Sequence, residues 1–280
     1  MDSGQDPSRN RIEFRVWGRY AMFTDPLTRV GGEKFSYHLP TYEALKGICK
    51  SIYWKPTIVW VVDRVRLMRR IRTQSRGMKP LDYNGIYPSM ADPAKKQTPF
   101  NTLAIYTYLT GDARKPDPTD IADGPGVEYQ VRAHFEWNQH HPALARDQIE
   151  GKHFAIAQRS LKLGGRQDIF LGTRDCQGYV TPCVFGEGKS DYDGEGELDY
   201  SLMFHSFDYP DETGEGWLRA NFWRPHLSDG VLAFPRPDDT SGAILKKDIR
   251  RMEAKRFGEE QVQPVEQEYA LMGLTEEAEA

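Results

Sequence analysis

Cysteine is scarce in this 280-residue chain: Cys49, Cys176 and Cys183 are the whole set, and no two of them form a CxxC pair. A sparse, odd set points to reduced thiols in a cytoplasmic protein, and away from a disulfide framework or structural zinc. No apolar run approaches the ~18 residues of a membrane span, so no membrane association is expected. The start, MDSGQDPSRNR, is polar and lacks the apolar stretch of a secretory signal. Walker, GxGxxG, HExxH and GxSxG signatures are missing, and so are internal repeats. His38, His134, His205 and His226 have no partner at metal-ligand spacing, and His140-His141 precede Pro142 in an expected solvated loop. Neither a metal nor another cofactor is therefore expected.

Enough apolar residues are present, 39% of the chain, to bury a sizeable core in one large domain or two small ones. Aromatics reach 12%, which suits a strand-rich fold, or a surface that stacks on bases. The net charge of −4 hides an asymmetry. Residues 1–80 carry 16 basic and 7 acidic side chains, whereas the remaining 200 carry 21 and 34. Within 63–80 seven bases (Arg64, Arg66, Arg69, Arg70, Arg72, Arg76 and Lys79) face one acid, Asp63. Such a block reads as a contact for a polyanion, or more plainly as a solvated strand face. Residues 187–215 carry ten acids and one base, and the tail after Gly258 has seven glutamates and no base. The carboxylates of 187–199 read as an exposed acidic turn.

Residues 11–17 alternate apolar and polar, as a half-buried strand does, with Ile12, Phe14 and Val16 on one face. Thr41 is a candidate helix cap, Ala44, Leu45, Ile48 and Ile52 follow helical spacing, and Pro56 ends the helix. Thr57–Val62 is β-branched and apolar, a central strand that Val65, Leu67 and Ile71 extend. Residues 77–126 are rich in Gly, Pro, Asp and Asn and read as a long hairpin or loop insertion. Alternation returns at Val127–Phe135. A second helix is expected from about Phe154 to Leu163, stopped by Gly164-Gly165. Short strands with Gly/Pro/Asp turns follow over 168–238, and the tail from 258 is expected to be helical or disordered.

The order β, α, β, β, α, β predicts an α+β, ferredoxin-like (RRM-like) domain over 11–165 with a protruding hairpin insertion at 77–126. A flexible tail at 1–10, a small antiparallel β-sheet domain at 166–257 and an acidic tail at 258–280 complete the expected organisation.

Several long segments carry a resemblance. They are residues 20–34 (YAMFTDPLTRVGGEK), 40–47 (PTYEALKG) and 51–57 (SIYWKPT), then 151–154 (GKHF), 158–162 (QRSLK), 168–172 (DIFLG) and 176–180 (CQGYV). Together, over about 10–255, they closely resemble the type I-C CRISPR repeat endoribonucleases, the subtype-d branch of the Cas-five family. The chain departs from that pattern in a longer insertion around 84–126 and in its two tails. The resemblance implies a ferredoxin-like domain with a protruding hairpin and a small C-terminal antiparallel sheet. It also implies metal-independent cutting of precursor CRISPR RNA at the base of the repeat hairpin. The 5′ handle would then be kept within the type I-C interference complex, among its backbone and large subunits.

The resemblance places the family's catalytic Tyr, Lys and His on Tyr53, Lys152 and His153. These residue types fit attack by a 2′-hydroxyl on the adjacent phosphate. That reaction needs a base, an acid for the leaving 5′-oxygen, and positive charge on the phosphorane. His153 can exchange a proton near neutrality. The pair Lys152-His153 is expected just before the second helix, where the helix field favours phosphate and lowers the histidine pKa. Tyr53 is a poor free base, and reads instead as a hydroxyl donor, a positioner, or a base activated by neighbouring Lys55 or Lys152. Without the resemblance, Tyr53 reads as core and Lys152-His153 as a solvated helix start.

Wider RNA contacts are expected from Arg29, Lys46, Lys55, Arg166, Arg174 and the 64–79 block, Arg64 and Arg66 included, with Phe23 and Tyr37 as stacking candidates. Two other functions compete. One is a non-catalytic scaffold that clamps the 5′ handle; the other is contact with target DNA. Cleavage by the isolated chain separates the first, and duplex binding the second.

Overall fold

The computed structural model describes residues 9–24, 34–78, 104–111 and 126–274. Most of the 77–126 insertion and Arg29 lie outside the described residues. The elements along the chain are β1 (Ile12–Gly18), β2 (Lys34–Phe35), α1 (Tyr42–Ile52), β3 (Ile58–Leu67), β4 (Arg72–Met78), β5 (Ala104–Thr110) and β6 (Val127–Trp137). A 3-10 turn at Pro142–Asp147 leads into α2 (Glu150–Lys162), followed by β7 (Ile169–Phe170), β8 (Gln177–Pro182), β9 (Glu197–Asp199) and β10 (Met203–Asp208). Then come the one-turn α3 (Pro210–Thr213), β11 (Trp217–Trp223), β12 (His226–Ser228), β13 (Val231–Ala233), β14 (Leu245–Arg251) and α4 (Val265–Leu271). The architecture is mixed α/β with mostly antiparallel sheets. No helix among the described residues is long and apolar enough to cross a membrane.

The largest sheet runs β7-β8-β1-β6-β3-β13-β12-β9. Its centre follows from patterning. β1 alternates buried and half-buried positions, as its sequence predicts. β3 is largely apolar and β6 alternates apolar and polar residues, yet both are buried along most of their length inside the sheet. Strands from beyond residue 165 flank them on both sides. β3 ends at Leu67 rather than running on to Ile71: Met68 N–H still donates to the Glu128 carbonyl of β6, but Arg70 N–H turns to the Asp191 carboxylate and Ile71 N–H to the Tyr192 hydroxyl. β4 then pairs antiparallel with β5 in a separate three-stranded sheet with β2.

Thr41 caps α1 as its sequence predicts, its hydroxyl accepting from Ala44 N–H at 3.2 Å. Tyr42, Leu45, Ile48, Cys49 and Ile52 bury one stripe of the helix, and α1 packs on β3. α2 begins at Glu150, four residues earlier than expected. Gly151 costs that turn ~1 kcal/mol relative to alanine but does not stop it. Lys152 and His153 therefore lie inside the helix, not before it. At the other end Gly164 (φ +87°) and Gly165 (φ +98°) take the left-handed conformation that glycine allows without steric cost. This turn folds the chain back, so that Arg166 N–H and Gln167 N–H both donate to the Ser51 carbonyl. The end of α1 and the end of α2 are thus joined. His141, expected to be solvated, is 7% exposed and its ring meets Phe257 edge-on.

Candidate active site

Tyr53 and His153 meet at the junction of α1, α2 and the central sheet. Tyr53 is the residue after the last turn of α1, its N–H donating to the Cys49 carbonyl at 3.0 Å. Trp60 Nε1–H holds the Tyr53 carbonyl at 2.7 Å. These bonds aim the ring inward, and Tyr53 and His153 are each 0% exposed. Their side chains are joined by a 2.7 Å hydrogen bond between Tyr53 Oη and His153 Nδ1. The other ring nitrogen, Nε2, lies 2.7 Å from the main-chain oxygen of Asp147. A carbonyl oxygen only accepts, so Nε2 carries the hydrogen. In the neutral ring Nδ1 is then the acceptor and Tyr53 the donor.

Burial is the main reason the His153 pKa is pushed down to about 4, with Lys55 adding to the depression. The direction agrees with the sequence expectation, but the cause is desolvation rather than the helix field. Trp137 meets the imidazole edge-on at 5.5 Å, and Phe135 at 6.1 Å completes an apolar wall. Burial also raises the Tyr53 hydroxyl well above the ordinary tyrosine value, and Glu268 adds to this while Arg166 opposes it. Tyr53 is therefore protonated and a hydrogen-bond donor here, and its oxygen can take up a proton only as it passes its own to His153.

Two cations lie beside this pair, and a third, Lys152, precedes His153 in α2. The Arg166 guanidinium lies over the Tyr53 ring at 4.7 Å, carried there by the Gly164-Gly165 turn. Lys55 is 6% exposed and sits 3.6 Å from Asp147 Oδ2. Lys152 extends from the first turn of α2 toward Tyr269. Each cation is met by the C-terminal segment. Lys152 Nζ donates to Glu266 Oε1 at 2.9 Å. Glu268 bridges the other two, with Oε2 at 3.2 Å from Lys55 and Oε1 accepting from Arg166. Lys55 also donates to the Gln263 carbonyl, and Val265 N–H donates to Asp147 Oδ1 at 2.5 Å. Sequence reasoning did not single out Asp147, Glu266 or Glu268. The only available signal was the base-free run of glutamates at the end of the chain.

The remaining candidates are more scattered. Phe23 is 2% exposed and lies edge-on to Tyr129 in the core, so neither ring face is open to a base. Tyr37 packs against the core and its hydroxyl accepts from Phe204 N–H. Lys46 is 3% exposed and paired with Glu212, which Lys50 also contacts at 2.8 Å. Arg66 is buried, donating to the Gly186 and Gly188 carbonyls and to Asp193 at 2.8 Å. Arg70 pairs with Glu195. Two bases of the block, Arg66 and Arg70, are thus paired with the 186–195 turn, whose Asp193 and Glu195 carboxylates stay exposed as expected. Arg64 and Arg174 are exposed, Arg174 lying 6.0 Å from the Phe170 ring centre.

Comparison with known proteins gives the family of the chain. Residues 11–235 match the family described as CRISPR-associated protein (Cas_Cas5), in its Cas5d form, and α4 lies beyond the matched span. The CRISPR pre-crRNA endoribonuclease Cas5d of Thermus thermophilus is 39% identical over 248 residues, covering 80% of this chain and 91% of that protein. Its namesake from Mannheimia succiniciproducens is 28% identical over 233 residues, covering 81% and 95%. A crystal structure described as that of a CRISPR-associated protein shares 29% identity at a TM-score of 0.62, over 85% of this chain and 96% of that one. A functionally uncharacterized protein from Streptococcus mutans gives 31% identity and a TM-score of 0.60, over 84% and 96%. The match spans the core, both helices and the Tyr53–His153 pair, and the chain belongs to the Cas5d branch of the CRISPR-associated Cas5 family.

Proposed function

We propose that this chain is a metal-independent endoribonuclease that cuts precursor CRISPR RNA within the repeat and stays on the 5′ handle. The observation that carries this is the Tyr53–His153 hydrogen bond with Arg166 and Lys55 beside it, and Lys152 joined to them through the glutamates of one segment. In the proposed reaction Tyr53 faces the attacking 2′-hydroxyl. Its oxygen takes the 2′ proton as its own proton passes to His153 Nδ1; the 2′-oxygen bonds to phosphorus as the P–O5′ bond breaks, and the leaving 5′-oxygen takes a proton from water. The imidazolium so formed is countered by the Asp147 carboxylate, whose Oδ2 lies 3.7 Å from Nε2. Lys152, with Lys55 and Arg166, holds the scissile phosphate and the charge that develops on it. The expected product carries a 2′,3′-cyclic phosphate.

The finer fold reading belongs to the same proposal. The antiparallel order β8-β1-β6-β3, with α1 and α2 as crossovers, supports a ferredoxin-like core, which takes in β8 and so reaches past the expected boundary at 165 to Pro182. We place the protein in the cytoplasm, as a subunit among the backbone and large subunits of a type I-C interference complex. Arg64 and Arg174 extend the RNA path, and target DNA would meet the complex rather than this site.

The scaffold reading is favoured by one observation: both ring nitrogens of the fully buried His153 are already engaged. Incubating the purified chain with a matching repeat RNA in EDTA separates the two. The proposal expects cleavage that collapses in His153→Ala while RNA binding persists. Tight handle binding with no cleavage by the wild type would establish the scaffold.

A further inference from the structure

The acidic end of the chain lies directly on the proposed RNA site. Val265 is 0% exposed and Tyr269 7%, so α4 is anchored by two side chains. Its glutamates are not spread over the surface. Glu266 takes Lys152, and Glu268 takes both Lys55 and Arg166. The Gln263 carbonyl adds a further oxygen on Lys55, and Met272 Sδ lies 3.5 Å from Arg166. A carboxylate that bridges an ammonium and a guanidinium presents two oxygens much as a phosphodiester does. The seam is imperfectly filled: a cavity of about 200 Å³ lies between the 3-10 turn (Ala143, Leu144, Asp147) and the segment (Val262, Pro264, Val265).

Resting on the endoribonuclease reading, we infer that the segment 263–272 is an internal ligand of the RNA site, standing where two phosphates of the repeat strand bind. Glu268 marks the phosphate held by Lys55 and Arg166, and Glu266 the one held by Lys152. RNA and segment then compete for the same three cations. Release of the segment also removes the negative charge nearest Tyr53 and leaves Arg166 unopposed above its ring.

The test uses the full chain and a repeat RNA 2′-O-methylated at every ribose, which binds but offers no nucleophile. Amide hydrogen exchange is followed across 263–272, and affinity by anisotropy. RNA should speed exchange in this segment. Glu266→Gln/Glu268→Gln should tighten RNA binding roughly 5–10-fold at low salt, since the more exposed pairs, Lys152–Glu266 and Arg166–Glu268, are each worth up to ~1 kcal/mol. Tyr269→Ala, which unseats the helix but keeps both glutamates, should tighten it as well. If bound RNA leaves the segment equally or better protected, or if both variants bind RNA no better than the wild type, the segment is not a competitor and the inference is overturned. Failure of the wild type and of both variants to bind any repeat RNA overturns the functional reading, and this inference with it.

Discussion

His153 Nδ1 lies 2.7 Å from Tyr53 Oη, a bond between residues 100 positions apart that ties the end of α1 to the first turn of α2. Because the Asp147 carbonyl holds the opposite nitrogen, the tyrosine hydroxyl is the donor and the imidazole the acceptor. The order of proton movement in the proposed reaction follows from this direction.

Tyr53→Phe removes the relay atom and nothing else. Loss of one general acid or base contributes roughly 10²–10⁴-fold. The single-turnover cleavage rate should therefore fall ~100-fold or more, with RNA affinity within about threefold of the wild type. Cleavage at the wild-type rate would show that His153 reaches the substrate without Tyr53.

Arg166 contacts the Tyr53 face and a carboxylate of the tail at once. Arg166→Ala should weaken RNA binding and lower the slope of log affinity against log salt by about one counterion. Arg166→Lys should recover the charge but not the planar stacking, so rescue should be partial. An unchanged salt slope would remove Arg166 from the RNA path.

Stability should fall on both sides of neutrality, for opposite reasons. His153 has a folded pKa near 4, below its ordinary 6.5. The unfolded chain therefore binds more protons between those values, and acidification across that window should cost on the order of 3 kcal/mol. His134 behaves the other way. Burial alone would lower it, but the Asp63 carboxylate hydrogen-bonded to Nδ1 and the Glu136 carboxylate 3.5 Å from Nε2 outweigh burial and raise it to about 9. Its contribution is complete below 6.5 and is lost as pH rises through 9. Urea midpoints from pH 4 to 9 should peak at pH 6–7. His153→Gln should flatten the acid limb and His134→Gln the alkaline one; an unaltered limb in either variant refutes that assignment.

Lys46 lies against Glu212 inside the protein, where burial pushes the ammonium down and the carboxylate more than compensates. Lys46→Met should lower stability by ~2 kcal/mol, less than a fully orphaned buried charge, because Lys50 still faces Glu212. RNA affinity should not change. A variant with wild-type melting and weakened RNA binding would return Lys46 to the RNA path.

The local structure of this protein is written in its local pattern. Alternation at 11–17 makes β1, Thr41 with apolar positions at helical spacing makes α1, and the apolar run at 58–67 makes a central strand. Tyr53, Lys152 and His153 were legible as a trio only through family resemblance, because no spacing rule links a helix end to a residue a hundred positions later. The start of α2 at Glu150 was missed, since Gly151 looks like a breaker and the chain beyond it supplies the packing that overrides propensity. Tertiary structure alone decided which charges meet. Opposite charges attract whatever their sequence separation, so the composition could report a basic front and an acidic back but not their pairings. The fold latches Arg66 and Arg70 onto the 186–195 turn and lays Glu266 and Glu268 on the cations beside Tyr53. Burial, which no single residue carries in its identity, then sets the protonation of His153.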